Sequence, residues 1–220
     1  MQRLKMPAIF LLCLFVVGCA AGGMHEAERS GFLVDYSMLK DGGSNRAALT
    51  YRNPSANFKS YNKIMFDRVV VSLSDDADYK GIDPAILKEL TDYYQNALLD
   101  AVKSKFEIVD QPGVGVLRVM VAITDVKPSK PVANTMSTLL PIGWAVAGAT
   151  KVTSGDNLGT GEAATEIDVL DSLTSVRLAA AVDRRQGGKA VFEGKWTDTK
   201  EAFDYWAVRF GQYLDELRGE

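Results

Sequence analysis

A chain of 220 residues with 47% hydrophobic and 24% charged residues is long enough to bury the core of one globular domain and sits near the average composition of folded chains. Its formal net charge of -3 excludes a basic nucleic-acid surface and a polybasic grip on anionic lipid. Both cysteines, Cys13 and Cys19, lie at the extreme N-terminus, so the body of the chain holds neither a disulfide nor a thiolate metal ligand.

The first segment pairs a basic start (Arg3, Lys5) with an apolar run from Met6 to Gly18, which is shorter than the roughly 20 residues of a membrane-spanning helix. The run ends Val16-Val17-Gly18-Cys19, followed by Ala20-Ala21-Gly22-Gly23. This order resembles the lipobox of bacterial lipoproteins, in which the cysteine thiol takes a diacylglycerol, the leader is cut before it and the new amine is acylated. The resemblance implies a signal peptide over residues 1–18, lipidation at Cys19 and a lipidated flexible spacer over 19–30. Each buried methylene adds about 0.8 kcal/mol, so two or three acyl chains hold durably where one does not. By resemblance to the sorting habit of enteric-type bacteria, Ala20 in place of Asp after the cysteine implies an outer-membrane anchor with the domain facing the periplasm. Cleavage also removes two positive charges, leaving the anchored part more acidic. His25, the only histidine, lies in the spacer without metal-ligand neighbours, which excludes a His-based triad.

Phe32, Leu33, Tyr36 and Leu39 fall at helical spacing, and Tyr51, Phe58 and Tyr61 lie among turn formers, so residues 31–61 read as a lead-in that packs on the domain. Residues 63–73 contain the β-branched run Val69, Val70, Val71 with Leu73, which predicts one central strand. Asp83-Pro84 opens a helix, with Leu87, Leu90, Tyr94, Ala97, Leu98, Ala101 and Val102 along one face. Phe106 to Val109 reads as a short edge strand, and Leu117, Val119, Val121 and Ile123 alternate with Arg118, Met120 and Thr124 in the next one, which buries one face.

Three further alternating runs follow: Thr165, Ile167, Val169; then Val176, Leu178, Ala180, Val182; then Ala190, Phe192, Trp196. They predict an antiparallel meander. Asp198 and Glu201 stand in capping-box spacing before a helix carrying Phe203, Trp206, Ala207, Phe210, Leu214 and Leu217 on one face. The fold expected is α+β: a mainly antiparallel sheet covered by two amphipathic helices, in the order β-α-β-β, irregular middle, β-β-β-α, forming a single domain over residues 31–220.

Three features invite sharper readings. Between Lys130 and Lys151 the segment 132–149 has no charge and contains Leu139, Leu140, Ile142, Trp144 and Val146. It reads either as a connection packed on the sheet or as an exposed apolar surface for self-association, lipid or a partner. Glu162, Glu166 and Asp168 occupy even positions of one strand, so their carboxylates share a face, as a glycosidase pair or hard-metal site requires. A half-buried strand with one wet face gives the same pattern, with Arg177 on the neighbouring strand as a counter-ion. Gly155, Gly159 and Gly161 form a glycine-rich loop without the Gly-Lys-Ser/Thr ending of a phosphate cradle. Trp196 and Trp206 occupy apolar positions of predicted elements, which favours core over a sugar-stacking set with Trp144.

The phrases SGFLVDYSMLK (30–40), YRNPSANFKSYNKIMFDRVVV (51–71), GEAATEIDVLDSLTSVRLAAAVDRR (161–185) and WTDTKEAFDYWA near the end resemble an uncharacterised family of proteobacterial lipoproteins, domain of unknown function 3313. The likeness spans nearly all of the chain after the leader. It implies a one-domain envelope lipoprotein and brings no catalytic residues, metal or cofactor with it. Leu173-Thr174-Ser175 departs from the family's Thr-Gly-Glu turn. The expectation is therefore a lipid-anchored binding or assembly accessory module, not an enzyme, held to the membrane by its N-terminal lipid and meeting an envelope protein or a second copy of itself. Two alternatives stand beside it: a hydrolase of an envelope polymer using the strand carboxylates, and a subunit of a membrane-associated oligomer using residues 132–149.

Overall fold

A computed structural model describes residues 29–43, 46–73, 77, 81–129, 161–186 and 194–219. Its centre is a meander of three long strands, Val116–Lys127 (β6), Glu162–Asp171 (β7) and Arg177–Gln186 (β8), each antiparallel to the next. Beyond β8 lie Leu49–Arg52 (β2) and Lys40–Asp41 (β1), both antiparallel. On the other side, Lys63–Phe66 (β3), Val70–Val71 (β4) and Glu107–Ile108 (β5) run parallel to their neighbours. The described strands thus form one eight-stranded, mostly antiparallel sheet in the order β1-β2-β8-β7-β6-β3-β5, with β4 also on β6.

Two helices cover one face. Helix α1, Pro84–Val102, starts where the Asp83 side chain accepts the Ala85 N–H at 2.8 Å, and proline at the first position gives up no bond. Leu90, Tyr94, Leu98 and Val102 turn inward every fourth residue. Helix α2, Thr197–Arg218, ends at Gly219 in the left-handed conformation, whose N–H returns to the carbonyls of Asp215 and Glu216. The helices meet through Tyr94 stacked on Phe203, with ring centroids 4.5 Å apart. At Gly211 they approach so closely that a Cβ there would lie 2.9 Å from the Ala101 carbonyl oxygen. Beneath them Ile64, Leu117, Val119, Val121, Ile123, Ile167 and Val169 complete one dry core.

Two irregularities set which side chains face which way. Between Ile123 and Asp125 the β6–β7 register shifts, so inward-facing odd positions of β6 give way to an inward Val126 and an outward Asp125. A second shift beside Val169 skips Leu178, which joins the helix-side core although Ala180 and Val182 face the opposite side.

Several expectations change. Residues 31–39 form turns instead of a helix, because Gly31 (φ 86°) and Val34 (φ 61°) take left-handed conformations that end helical propagation. Residues 49–52, read as lead-in, are a strand paired to β8. The single strand over 63–73 is two short strands near the parallel side. Trp196 is the residue preceding α2 and not part of a strand, while Ala190 and Phe192 lie outside the described residues. Asp198 is inside the first turn of α2 and makes no cap: its Oδ2 accepts from the Gly161 N–H and the Ser129 hydroxyl, both at 2.6 Å, tying the helix start to the ends of β6 and β7.

Candidate functional site

The carboxylates singled out on β7 do share a face, on the side away from the helices. That face is not wet. Glu166 is 0% exposed, Asp168 7% and Glu162 9%; residues 30–39 lie as a strap over the Glu166 and Asp168 end of the row, and Arg184 lies against Glu162. Leu33 is buried against Ala180 and Val182, flanked by Phe32, Tyr36, Leu39, Leu49 and Tyr51. Burying a leucine side chain contributes roughly 1.5–3 kcal/mol, so the strap is fastened by apolar contact as well as polar bonds.

Glu166 is the polar fastening. Its Oε1 accepts the Ser30 N–H at 2.8 Å, and its Oε2 accepts the Tyr36 hydroxyl at 2.6 Å and the Leu33 N–H at 3.3 Å. Burial, and then the bond to Glu166, raises the Tyr36 phenol above its ordinary pKa. One residue pair along, Arg177 binds Asp168 through two bonds of 2.8 Å and sends further N–H donors, each at 2.6 Å, to the carbonyls of Leu33 and Asp35. The Asp168 bond raises the Arg177 pKa further. These two carbonyls flank Val34, so the guanidinium holds a β-branched residue in a conformation that costs about 1–2 kcal/mol. At the far end of the row Arg184 Nη1 lies 2.5 Å from Glu162 and 3.2 Å from Asp125, the residue turned outward by the bulge.

The chemical consequence is plain. Each of the three acids is bonded to groups of its own chain: Glu166 directly and Asp168 through Arg177 hold the strap, while Glu162 is paired with Arg184. The Arg177 partner for Asp168 was legible in the sequence; the strap over Glu166 was not, because Ser30, Leu33 and Tyr36 stand 130 or more positions away.

A second feature lies on the helix side, at the flank of α2. A cavity of about 90 Å³ opens between α2 and the β8–β2 part of the sheet. Its floor is made of Ala179, Ala181 and Thr50, and its walls of Trp206, Phe210 and Tyr213, with Ala47 alongside. Asp183, at its edge, accepts the Trp206 indole N–H at 2.7 Å and the Ala48 N–H at 3.0 Å. Arg46, Arg209 and Tyr205 stand at the lining, and the Arg185 guanidinium lies 3.7 Å from the Tyr205 ring centroid. Tyr205, Arg209 and Tyr213 recur every fourth residue beside the core stripe of α2, which is the sequence signal for this groove.

Among the other candidates, Trp206 is buried in the core and Trp196 packs on it in part. Gly161 serves as a close-contact position, where a Cβ would meet Ser129 and Asp198 within 3 Å. Cys19, His25, Leu139, Leu140, Ile142, Trp144, Val146, Gly155 and Gly159 lie outside the described residues. Among the described residues no helix is long and apolar enough to cross a membrane.

Sheet, helix pair and strap define an α+β domain whose N-terminal lead is bound to the face opposite its helices. The chain belongs to the family described as Protein of unknown function (DUF3313), which matches residues 28–210. No curated protein matches it. Among solved structures it is similar to a PelC dodecamer from Paraburkholderia phytofirmans, at 11% identity and a TM-score of 0.38, covering 72% of this chain and 94% of that one. It is similar also to protein XCC0632 from Xanthomonas campestris, of family DUF330, at 11% identity and a TM-score of 0.38, covering 74% and 89%. A minor lipoprotein from Acinetobacter baumannii matches at 9% identity and a TM-score of 0.35, covering 72% and 95%.

Proposed function

We propose that the chain is a lipid-anchored module of the bacterial envelope that works by binding, with its helix side turned to the partner. The observation that carries this reading is the clasp on Glu166. It fixes Ser30, Leu33 and Tyr36 to the outer face of the sheet, so a chain arriving from Cys19 reaches the domain there. For a chain of the length from Cys19 to Ser30 the random-coil estimate gives a reach of roughly 15 to 20 Å. A tether that short keeps the strapped face toward the bilayer and leaves α2 pointing away from it. On α2, Val208 is 56% exposed and Tyr205 is exposed beside it, an apolar pair available for contact.

The hydrolase alternative asks Glu166 and Asp168 to trade protons with a substrate, yet both are engaged with the strap and with Arg177. That weighs toward binding. The oligomer alternative rests on residues 132–149, outside the described chain. A photoreactive amino acid at Val208 in cells tests the helix side directly. Binding predicts discrete protein adducts in the envelope fraction that vanish when the probe is moved to Leu33, the strap residue buried against the sheet; equal labelling from both positions, or none from Val208, contradicts it.

A further inference from the structure

We propose that the groove between α2 and the β8–β2 side of the sheet takes a single acyl chain with an anionic carboxylate head. The inference rests on the envelope reading above and gives that module a ligand class. Three observations lead to it.

The cavity lining is predominantly apolar, with Thr50 the polar residue of its floor. Ala179 and Ala181 present only methyl groups on the floor, and Trp206, Phe210 and Tyr213 supply the wall. Small residues facing aromatic ones leave room that larger side chains would fill. A volume of about 90 Å³ is less than the roughly 150 Å³ that holds a benzene ring, so it accepts part of one chain and not two chains side by side.

The two polar side chains that reach in from β7 and β8, Thr165 and Asp183, are already engaged, which leaves the hydroxyls of Thr50, Tyr205 and Tyr213 on the lining. Thr165 donates its hydroxyl to the Ala122 carbonyl at 3.0 Å and meets the Tyr94 hydroxyl at 3.3 Å; Asp183 is bonded to Trp206 and Ala48. The floor also lacks an open ladder. All four residues of β2, Leu49 to Arg52, pair with β8, so a peptide laid in the groove gains no main-chain bonds from this floor. An alkyl chain needs none.

Positive charge stands at the mouth. Arg46 and Arg209 line the groove and Arg185 lies over Tyr205 beside it. Both arginines have partners of their own: Arg46 lies 3.7 Å from Glu216 Oε2 with both side chains about half exposed, a pair worth little in water, and Arg209 Nη1 donates to Gln212 Oε1 at 2.7 Å. A guanidinium presents a fork of donors that matches a carboxylate, and Arg46, lying over the Tyr213 ring at 5.9 Å, is seated on the groove wall.

Isothermal calorimetry of the purified full-length protein with dodecanoate, below its aggregation limit, tests the assignment. Saturable 1:1 binding is expected. Methyl dodecanoate should bind at least about tenfold more weakly, and so should dodecanoate to the variant Arg46→Glu/Arg209→Glu, whose changes avoid the core. Ala181→Leu, which fills the floor, should abolish binding; circular dichroism and the melting temperature check that both variants fold. If Ala181→Leu does not fold, the arginine variant and the ester decide alone. Absence of saturable heat, equal affinity for acid and ester, or wild-type affinity in the arginine variant overturns the proposal. Displacement of dodecanoate by the acidic peptide acetyl-Glu-Leu-Glu-amide at lower concentration overturns it in favour of a protein partner. A chain that stays membrane-bound through Cys19 but ignores dodecanoate removes the ligand class and leaves the anchor standing.

Discussion

Burying a carboxylate without company costs several kcal/mol, and Glu166 escapes that cost through three donors from a single strap. Removing the carboxylate leaves two N–H groups and a phenol facing an apolar sheet. Glu166→Ala is therefore expected to lower the unfolding free energy by about 2–4 kcal/mol in urea titration and to expose the Arg29 region to protease before the rest of the domain opens. Tyr61 offers a second residue-level test. Burial, and then its 2.9 Å bond to Asp171, pushes its phenol from 10.0 up to about 12. Between those values the folded chain keeps the proton that the unfolded chain has lost. This contribution to stability is complete below pH 10 and disappears as the pH climbs to about 12; the urea midpoint should fall across that window, and less steeply in Tyr61→Phe. At this scale the sequence showed the trio Glu162, Glu166 and Asp168 on one face and Arg177 as a partner. Their surroundings were misread, because alternation reveals that two faces differ but not what covers each one. The strap is a non-local contact, and neither Ser30 nor Tyr36 carries a local mark of it.

Elements were most legible where periodicity was long. Helix α1, with Asp83 and Pro84 at its start, and the core stripe of α2 follow directly from spacing, as do β6 and β7. The failures were short or irregular. Four-residue β2 lacks the length to show alternation, and the run from 63 to 73 conceals the break between β3 and β4. At Asp198 two physical readings of one pattern competed: Asp198 and Glu201 fit a capping box, but the aspartate is drawn to the Gly161 N–H instead. Gly211 provides the element-level prediction. Alanine gains up to about 1 kcal/mol of helix propensity over glycine. Its Cβ, however, would stand 2.9 Å from a main-chain oxygen of α1, and overpacking of this kind costs about 1–3 kcal/mol. Gly211→Ala should thus lower the urea midpoint with an unchanged slope, the reverse of what an exposed helix position would do.

For the whole molecule, the two faces of one sheet divide the work. Helices close one side and leave a groove with arginines at its mouth; the strap closes the other and sets where the chain from the N-terminus arrives. The α+β class and the pairing of two helices with a mainly antiparallel sheet were readable from element order, since each amphipathic stripe needs a sheet face to cover it. The groove was not, because a cavity arises from what neighbouring elements fail to fill. The tether is the hinge of the functional reading, and metabolic labelling with palmitate, followed by membrane fractionation of the wild type and Cys19→Ser, measures it. The tether predicts label and membrane association in the wild type and neither in the variant. An unlabelled wild type, or a Cys19→Ser chain that still sediments with the membrane, contradicts it.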